Sequence, residues 1–268
     1  MKVIVLIKQI FDPATVRVSR SRGTLDLRRA QLIINPNDRN ALEEALRLKD
    51  ELDAQVTVLT LGSAEAEDAL REALALGADE AILLSGEELA DVDAAGAVQV
   101  LGEAIKKVDG FDLVLAGDQA ADSQAGELGP RLAEYLNLPQ VTNVFELKAA
   151  EGKVIAKRGW GEVYHELETT LPAVVTVAES ANEPRYPDGA AIINAYREKE
   201  VTLWTLWDVG LQPEDLTSVT EVRRTAAAPE TERGQLISGD PGEAAKQLVQ
   251  RLKSDSVGGG LASPLLNK

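Results

Sequence analysis

Runs of apolar residues alternate along the first half of the chain with stretches whose apolar positions recur every three or four residues. Residues 3–7 are apolar throughout, the mark of a strand covered on both faces. Residues 40–52 predict an amphipathic helix, with Leu42, Ala45, Leu46 and Leu48 on one side. Residues 56–61 form the next strand. Ser63 can then cap a helix reaching Leu76, with Glu65 and Glu67 in its first turn and Gly77 as its stop. A strand at 81–84, a helix over 94–107, a strand at 111–116 and a helix from about Gly126 to Leu136 follow. Alternation at this spacing predicts an α/β fold, a doubly wound and mostly parallel sheet with helices on both faces.

Beyond Pro139 the rhythm changes. Residues 141–147, 154–158, 163–169 and 173–177 are strand-like and separated by turns, Glu151-Gly152 among them, and predict a smaller antiparallel portion. The run Asn182-Glu183-Pro184-Arg185-Tyr186-Pro187-Asp188-Gly189 leads into a short helix ending near Tyr196. Residues 208–236 are rich in Pro, Thr and Glu and weakly periodic, so they predict an extended C-terminal arm. A last helix over 241–252 precedes a loose Gly258-Gly259-Gly260 tail. The chain therefore divides into an α/β domain at 1–204 and an arm with its helix at 205–268. No internal repeat is evident.

Composition narrows the chemistry. The 268 residues include no Cys and one His, His165, which excludes disulfides, thiol catalysis, Cys-ligated metals and a histidine-rich metal site. His165 lies in a strand between Tyr164 and Glu166 and reads as structural. No Ser–His or Cys–His pairing suggests a hydrolase. No apolar run is long enough to span a membrane, and the N-terminus lacks the pattern of a signal peptide. The net charge of -16 argues against nucleic acid as a partner. The first 40 residues run against it, with eight Lys and Arg to three Asp. Arg17, Arg20, Arg22, Arg28 and Arg29 make this a solvated basic hairpin or a docking surface for an acidic partner.

Ligands of doubly wound sheets bind beyond the carboxyl ends of the strands. Three segments suit that place. In Asn35-Pro36-Asn37-Asp38, Pro36 stiffens the turn and Asp38 can cap the helix that follows. Leu61-Gly62-Ser63 is a strand end that allows close backbone approach. The third, Gly117-Asp118-Gln119-Ala120-Ala121-Asp122-Ser123-Gln124-Ala125-Gly126-Glu127-Leu128, runs from a strand to a helix and can offer backbone N–H groups to a phosphate. A Walker lysine motif and a Gly-x-Gly-x-x-Gly run are both absent.

Several motifs, in order and over about residues 2–204, carry a family resemblance. Val5-Leu6-Ile7-Lys8-Gln9, Ile34-Asn35-Pro36 leading into residues 41–49, Ala75-Leu76-Gly77-Ala78-Asp79, Gly117-x-Gln119-Ala120-x-Asp122, Leu171-Pro172-Ala173-Val174-Val175-Thr176 and Asn182-Glu183-Pro184-Arg185-Tyr186 are similar to the beta subunit of electron transfer flavoproteins. The resemblance implies an electron carrier rather than a stand-alone catalyst. An alpha subunit would pair with it, an FAD would lie between the two, and the heterodimer would shuttle electrons between dehydrogenases and a quinone or other acceptor. Residues 1–204 become a nucleotide-binding domain and 205–268 the part that contacts the partner. The pocket implied comprises Leu6, Asn35, Pro36, Asn37, Asp38, Leu61 and Gly117 through Leu128. It takes AMP in ordinary members and a second FAD in flavin-bifurcating ones, and Pro13 and Asn37 fall where the beta subunit approaches the shared flavin. The setting implied is cytoplasmic, at the membrane periphery through partners.

Asn35-Pro36-x-Asp38-x-Asn40-Ala41-x-Glu43 and Gly129-Pro130-x-x-Ala133-Glu134 resemble the bifurcating branch, as does the arm from Trp204-Thr205 to Thr220-Glu221-Val222-Arg223-Arg224. Gln124 and Glu127 depart from it, and a carboxylate at 127 facing the pocket would repel a pyrophosphate. Gly189 stands where members serving acyl-CoA dehydrogenases carry a docking Leu. The reading set against all of this is a free-standing ATP- or AMP-binding module of similar fold.

Overall fold

The computed structural model describes residues 1–19, 23–90, 92–150, 152–216, 218–221, 223, 234 and 236–254. Arg20, Arg22, Glu151, Val222, Arg224 and the Gly258-Gly259-Gly260 tail lie outside the described residues. The chain divides into two units, residues 1–227 and 228–268.

In the first unit the chain order is β1 (Lys2–Leu6), β2 (Gln9–Phe11), β3 (Arg17–Ser19), β4 (Thr24–Asp26), β5 (Leu32–Ile34), α1 (Pro36–Leu52), β6 (Gln55–Leu61), α2 (Glu67–Leu76), β7 (Glu80–Leu84), α3 (Ala94–Lys107), β8 (Leu113–Gly117) and α4 (Leu128–Leu136). It continues with β9 (Gln140–Ala150), β10 (Lys153–Trp160), β11 (Val163–Thr170), β12 (Ala173–Val177), α5 (Gly189–Arg197) and β13 (Thr202–Trp204). The main sheet has nine strands in the order β11-β10-β9-β12-β8-β1-β6-β7-β13. From β9 to β13 every pairing is parallel, and β10 and β11 extend it as antiparallel hairpins. Two small antiparallel pairs, β2 with β5 and β3 with β4, stand apart from it.

The apolar runs become the central strands because both faces are covered. Val3, Val5, Val56 and Val58 pack with α1 and α2 on one side. Ile4, Leu6, Leu59 and Val114 pack with α3 and α4 on the other. Two glycines let helices come close: a Cβ at Gly102 on α3 would strike the Tyr135 ring of α4, and one at Gly129 would strike Thr176 of β12. Outside this layered part, β11 is an edge strand with nearly every residue exposed, and Trp160 and Tyr164 stand out at the tip of its hairpin.

Several boundaries differ from the pattern. α1 starts at Pro36 rather than Asn40, because proline at the first helical position lacks an N–H that would be unpaired there anyway. Asp38 accordingly lies inside the first turn and does not cap the helix. Ser63 makes no side-chain cap; a 3-10 turn, Ala64–Ala66, intervenes before α2. α4 begins at Leu128 because Gly126 sits at φ 63°, outside helical space. Short strands β2 to β5 and β13 had no signal beyond the basic hairpin. Within that hairpin Arg28 grips Asp26 through two bonds, of 2.9 and 2.7 Å.

The stretch after Trp204 begins against α3. Trp207–Val209 and Pro213–Asp215 form 3-10 turns, Val209 is buried, and Gln99 Nε2 donates to Asp215 O at 2.9 Å. Asp93, the cap of α3, accepts on one carboxylate oxygen from Ala95 N and Gly96 N. Its other oxygen takes Val219 N, Thr220 N and the Thr220 hydroxyl at 2.7–2.9 Å. The bonds from Gly96 N, Val219 N and both Thr220 donors hold its carboxyl far below the ordinary range. In the second unit the described helix is α6 (Pro241–Ser254). Among the described residues no helix is long and apolar enough to cross a membrane.

Candidate functional site

The sheet order reverses at β1. The chain leaves β1 towards β6 and β7 on one side and returns to β8 on the other. The crevice beyond the carboxyl ends of β1 and β8 is thus the switch point at which such sheets bind ligands. The segments that meet there are Ile7–Lys8, the start of α1 and the loop from Asp118 to Glu127.

Asn35 is fully buried and holds the loop as a backbone would. Its Nδ2 donates to Gln119 O and its Oδ1 accepts from Ala121 N, both at 2.9 Å. Its own N–H donates to Lys8 O at 2.8 Å. Asp38 makes the matching link one turn along. One carboxylate oxygen accepts from Lys8 N at 2.8 Å and the other from Gly117 N at 2.9 Å, so a single side chain ties the ends of β1 and β8. Burial pushes the Asp38 carboxyl up to about 7, against the pull of the Asn35, Lys8 and Gly117 hydrogen bonds. Gly117 is required here, since a Cβ on it would lie 2.7 Å from the Asn37 backbone carbon and closer still to Asp38 Oδ1.

Asp118 anchors the loop to the other side of the sheet, accepting from the Thr176 hydroxyl at 2.8 Å and Asn143 Nδ2 at 3.1 Å. Ala120 O accepts from Gln124 N at 2.7 Å and from Ser123 N at 3.3 Å, and Gln124 adopts φ 53°. Asp122 is paired with Lys8 Nζ at 2.6 Å. Glu127 forms an ion pair with Arg131 one turn along α4. That cation offsets the carboxylate whose repulsion the sequence placed in the pocket. Ser123, Gln124 and Ala125 are exposed, and Leu128 packs against the core beneath.

Leu6 is buried under α3 and α4, so only its backbone reaches the crevice. Asn37 and Asp38 are buried behind Gly117, while Pro36 serves as the first residue of α1. Leu61 lies at the end of β6 and lines a cavity of about 590 Å³ together with Gly62, Ser63, Ala121 and Asp122. Its far wall is apolar, with Phe11, Pro13, Val16 and Leu32 among its residues. The strand ends and the 118–127 loop therefore meet as the sequence predicts, and the apolar wall from the β2–β5 region is an addition. Lys8 is another addition: it belongs to the first resembling motif but is not among the pocket residues that the resemblance implies.

The sequence as a whole decides the family. The family model described as the electron transfer flavoprotein domain matches residues 23–209. The chain is 40% identical over 261 residues to the electron transfer flavoprotein subunit beta of Thermoanaerobacterium thermosaccharolyticum, covering 96% of this chain and 100% of that one. The chain belongs to the electron transfer flavoprotein family, on its beta-subunit side. It is also 37% identical to the subunit beta of Clostridium acetobutylicum, over 95% of this chain and 99% of that one. Identity to the caffeyl-CoA reductase-Etf complex subunit CarD of Acetobacterium woodii is 38%, over 96% of this chain and 100% of the relative. Within this electron transfer flavoprotein chain the 182–186 motif also has a structural task. Arg185 grips the buried Glu43 of α1 through its Nε at 2.9 Å, and Asn40 and Asn182 bond each other side chain to side chain at 2.9 Å.

Proposed function

We propose that this chain binds an adenine nucleotide at the β1–β8 crevice and, paired with an alpha subunit, carries electrons between dehydrogenases and a quinone or other acceptor. One FAD lies between the two subunits in this reading. The nucleotide held by this chain itself is a second FAD, which makes flavin-based bifurcation its task. The observation that carries the choice is the apolar cavity of about 590 Å³ that adjoins the strand ends through Leu61, Ala121 and Asp122. An adenosine phosphate needs the strand ends and the loop N–H groups alone, whereas a flavin needs apolar room beyond them. The Glu127–Arg131 pair supports the same choice, because a paired carboxylate opposes a pyrophosphate less than a bare one. The complex-subunit name of the Acetobacterium relative points the same way.

Acid release of nucleotides from the purified heterodimer, quantified by chromatography, tests the reading. Two FAD per heterodimer is the result expected. One FAD with one AMP reduces the chain to an ordinary carrier, and one FAD with no adenylate overturns the pocket.

A further inference from the structure

Lys8 lies just past the end of β1, beside the crevice, with its backbone fixed and its head group about half exposed. Its N–H donates to Asp38 and its carbonyl accepts from Asn35 N, each at 2.8 Å. Its ammonium reaches across to Asp122 at 2.6 Å, yet the two side chains remain 48% and 38% exposed. A pair so exposed is weakly held and readily exchanges a partner. Three acids at the strand ends and the loop are engaged elsewhere, Asp38 by two backbone amides, Asp118 by Thr176 and Asn143, and Glu127 by Arg131, while Glu65 lines the cavity with Asp122. Lys8 is therefore a cation pinned at its base beside the loop that offers N–H groups. Its present partner lines the cavity wall.

We propose that Lys8 recognises the phosphate of the bound nucleotide, turning from Asp122 to the phosphate oxygens, and that Asp122 competes with the ligand for it. The proposal rests on the nucleotide reading above and gives that site its selectivity. A phosphorylated adenosine engages the ammonium, while adenosine alone leaves the Lys8–Asp122 pair in place. A charge-assisted hydrogen bond to phosphate, offset by the carboxylate given up, amounts to about tenfold in affinity.

Calorimetric titration of the full-length chain, freed of nucleotide on charcoal, with AMP and with adenosine tests this. The wild-type chain is expected to prefer AMP. Lys8→Met should lower AMP affinity about tenfold and leave adenosine affinity unchanged. Asp122→Asn, which frees the ammonium, should raise AMP affinity severalfold with adenosine again unchanged. An equal loss of AMP and adenosine affinity in Lys8→Met overturns the proposal, since that marks damage to the pocket. An AMP preference that survives Lys8→Met overturns it as well. If wild type binds neither compound, the nucleotide reading falls and the role of Lys8 falls with it.

Discussion

Replacing Gly117 by Ala probes the contact between two strand ends and a helix start. The added Cβ would meet the Asn37 backbone carbon and Cβ at 2.7 Å, and Asp38 Oδ1 closer still. The Asn37 backbone belongs to the first turn of α1 and cannot rotate aside as a side chain would. Overpacking of this kind costs about 1–3 kcal/mol. Moving the Asp38 carboxylate away also strips an acceptor from the part-buried Gly117 or Lys8 amide, at about 1 kcal/mol. The expected loss is about 3 kcal/mol, or roughly 6–12 °C in Tm for a chain of this size. Urea unfolding of the full-length chain reads it, with Gly159→Ala as the control. A Cβ at Gly159 meets nothing within 4 Å, so that variant should match wild type. A Gly117→Ala variant within about 0.5 kcal/mol of wild type would refute the argument that this approach requires glycine.

Four further outcomes are expected. The Asp38 carboxyl is raised from its unfolded value to about 7, so the native state binds the extra proton and stability falls as pH rises towards 7; Asp38→Asn lacks this slope, and between pH 5 and 8 the wild-type urea midpoint should fall relative to that of the variant. Arg185→Met leaves Glu43 buried with only the half-exposed Arg47 beside it, at a cost of about 1–3 kcal/mol measured by denaturant unfolding. Asp93→Ala removes the acceptor shared by α3 and residues 219–220, and hydrogen exchange should accelerate at Ala95, Gly96, Val219 and Thr220 together. Tyr186 is exposed and stacks on Arg39, so Tyr186→Ala should slow electron transfer with a redox partner in stopped-flow assays while bound nucleotide, measured by acid release, stays unchanged.

The central strands were legible because each is covered twice, so its mid-run residues are apolar or, like Thr60 donating to Ile7 O, have their hydroxyl bonded within the sheet. Val3 to Ile7 and Leu113 to Ala116 show this. The three-residue strands β2 to β5 were not legible, since a period of two cannot establish itself over so short a run. The start of α1 was obscured because Pro36 suits a stiff turn and a first helical turn equally well. At the candidate site, the 117–128 segment could be identified by its position after a strand and its small residues. Which strands it meets depends on sheet order, which alternation alone does not specify. The task of Asn35 shows the same limit. Its sequence neighbourhood marks a turn, while its bonds to Gln119 and Ala121 span more than eighty residues.

The outer strand β11 has a consequence for how the chain behaves in solution on its own. Its outer edge presents unpaired backbone groups, flanked by Trp160, Val163 and Tyr164, all mostly exposed. Such an edge invites a second copy to add its own strand. Glu166 and Glu168 lie along it, and Lys153 and Lys157 on β10 face them at 2.8 and 3.9 Å. At neutral pH two copies brought edge to edge would set carboxylate against carboxylate. Replacing Glu166 and Glu168 by Gln removes those charges. The protein then loses its guard against self-pairing, and concentration-dependent association through this strand should set in while the parallel core is still folded.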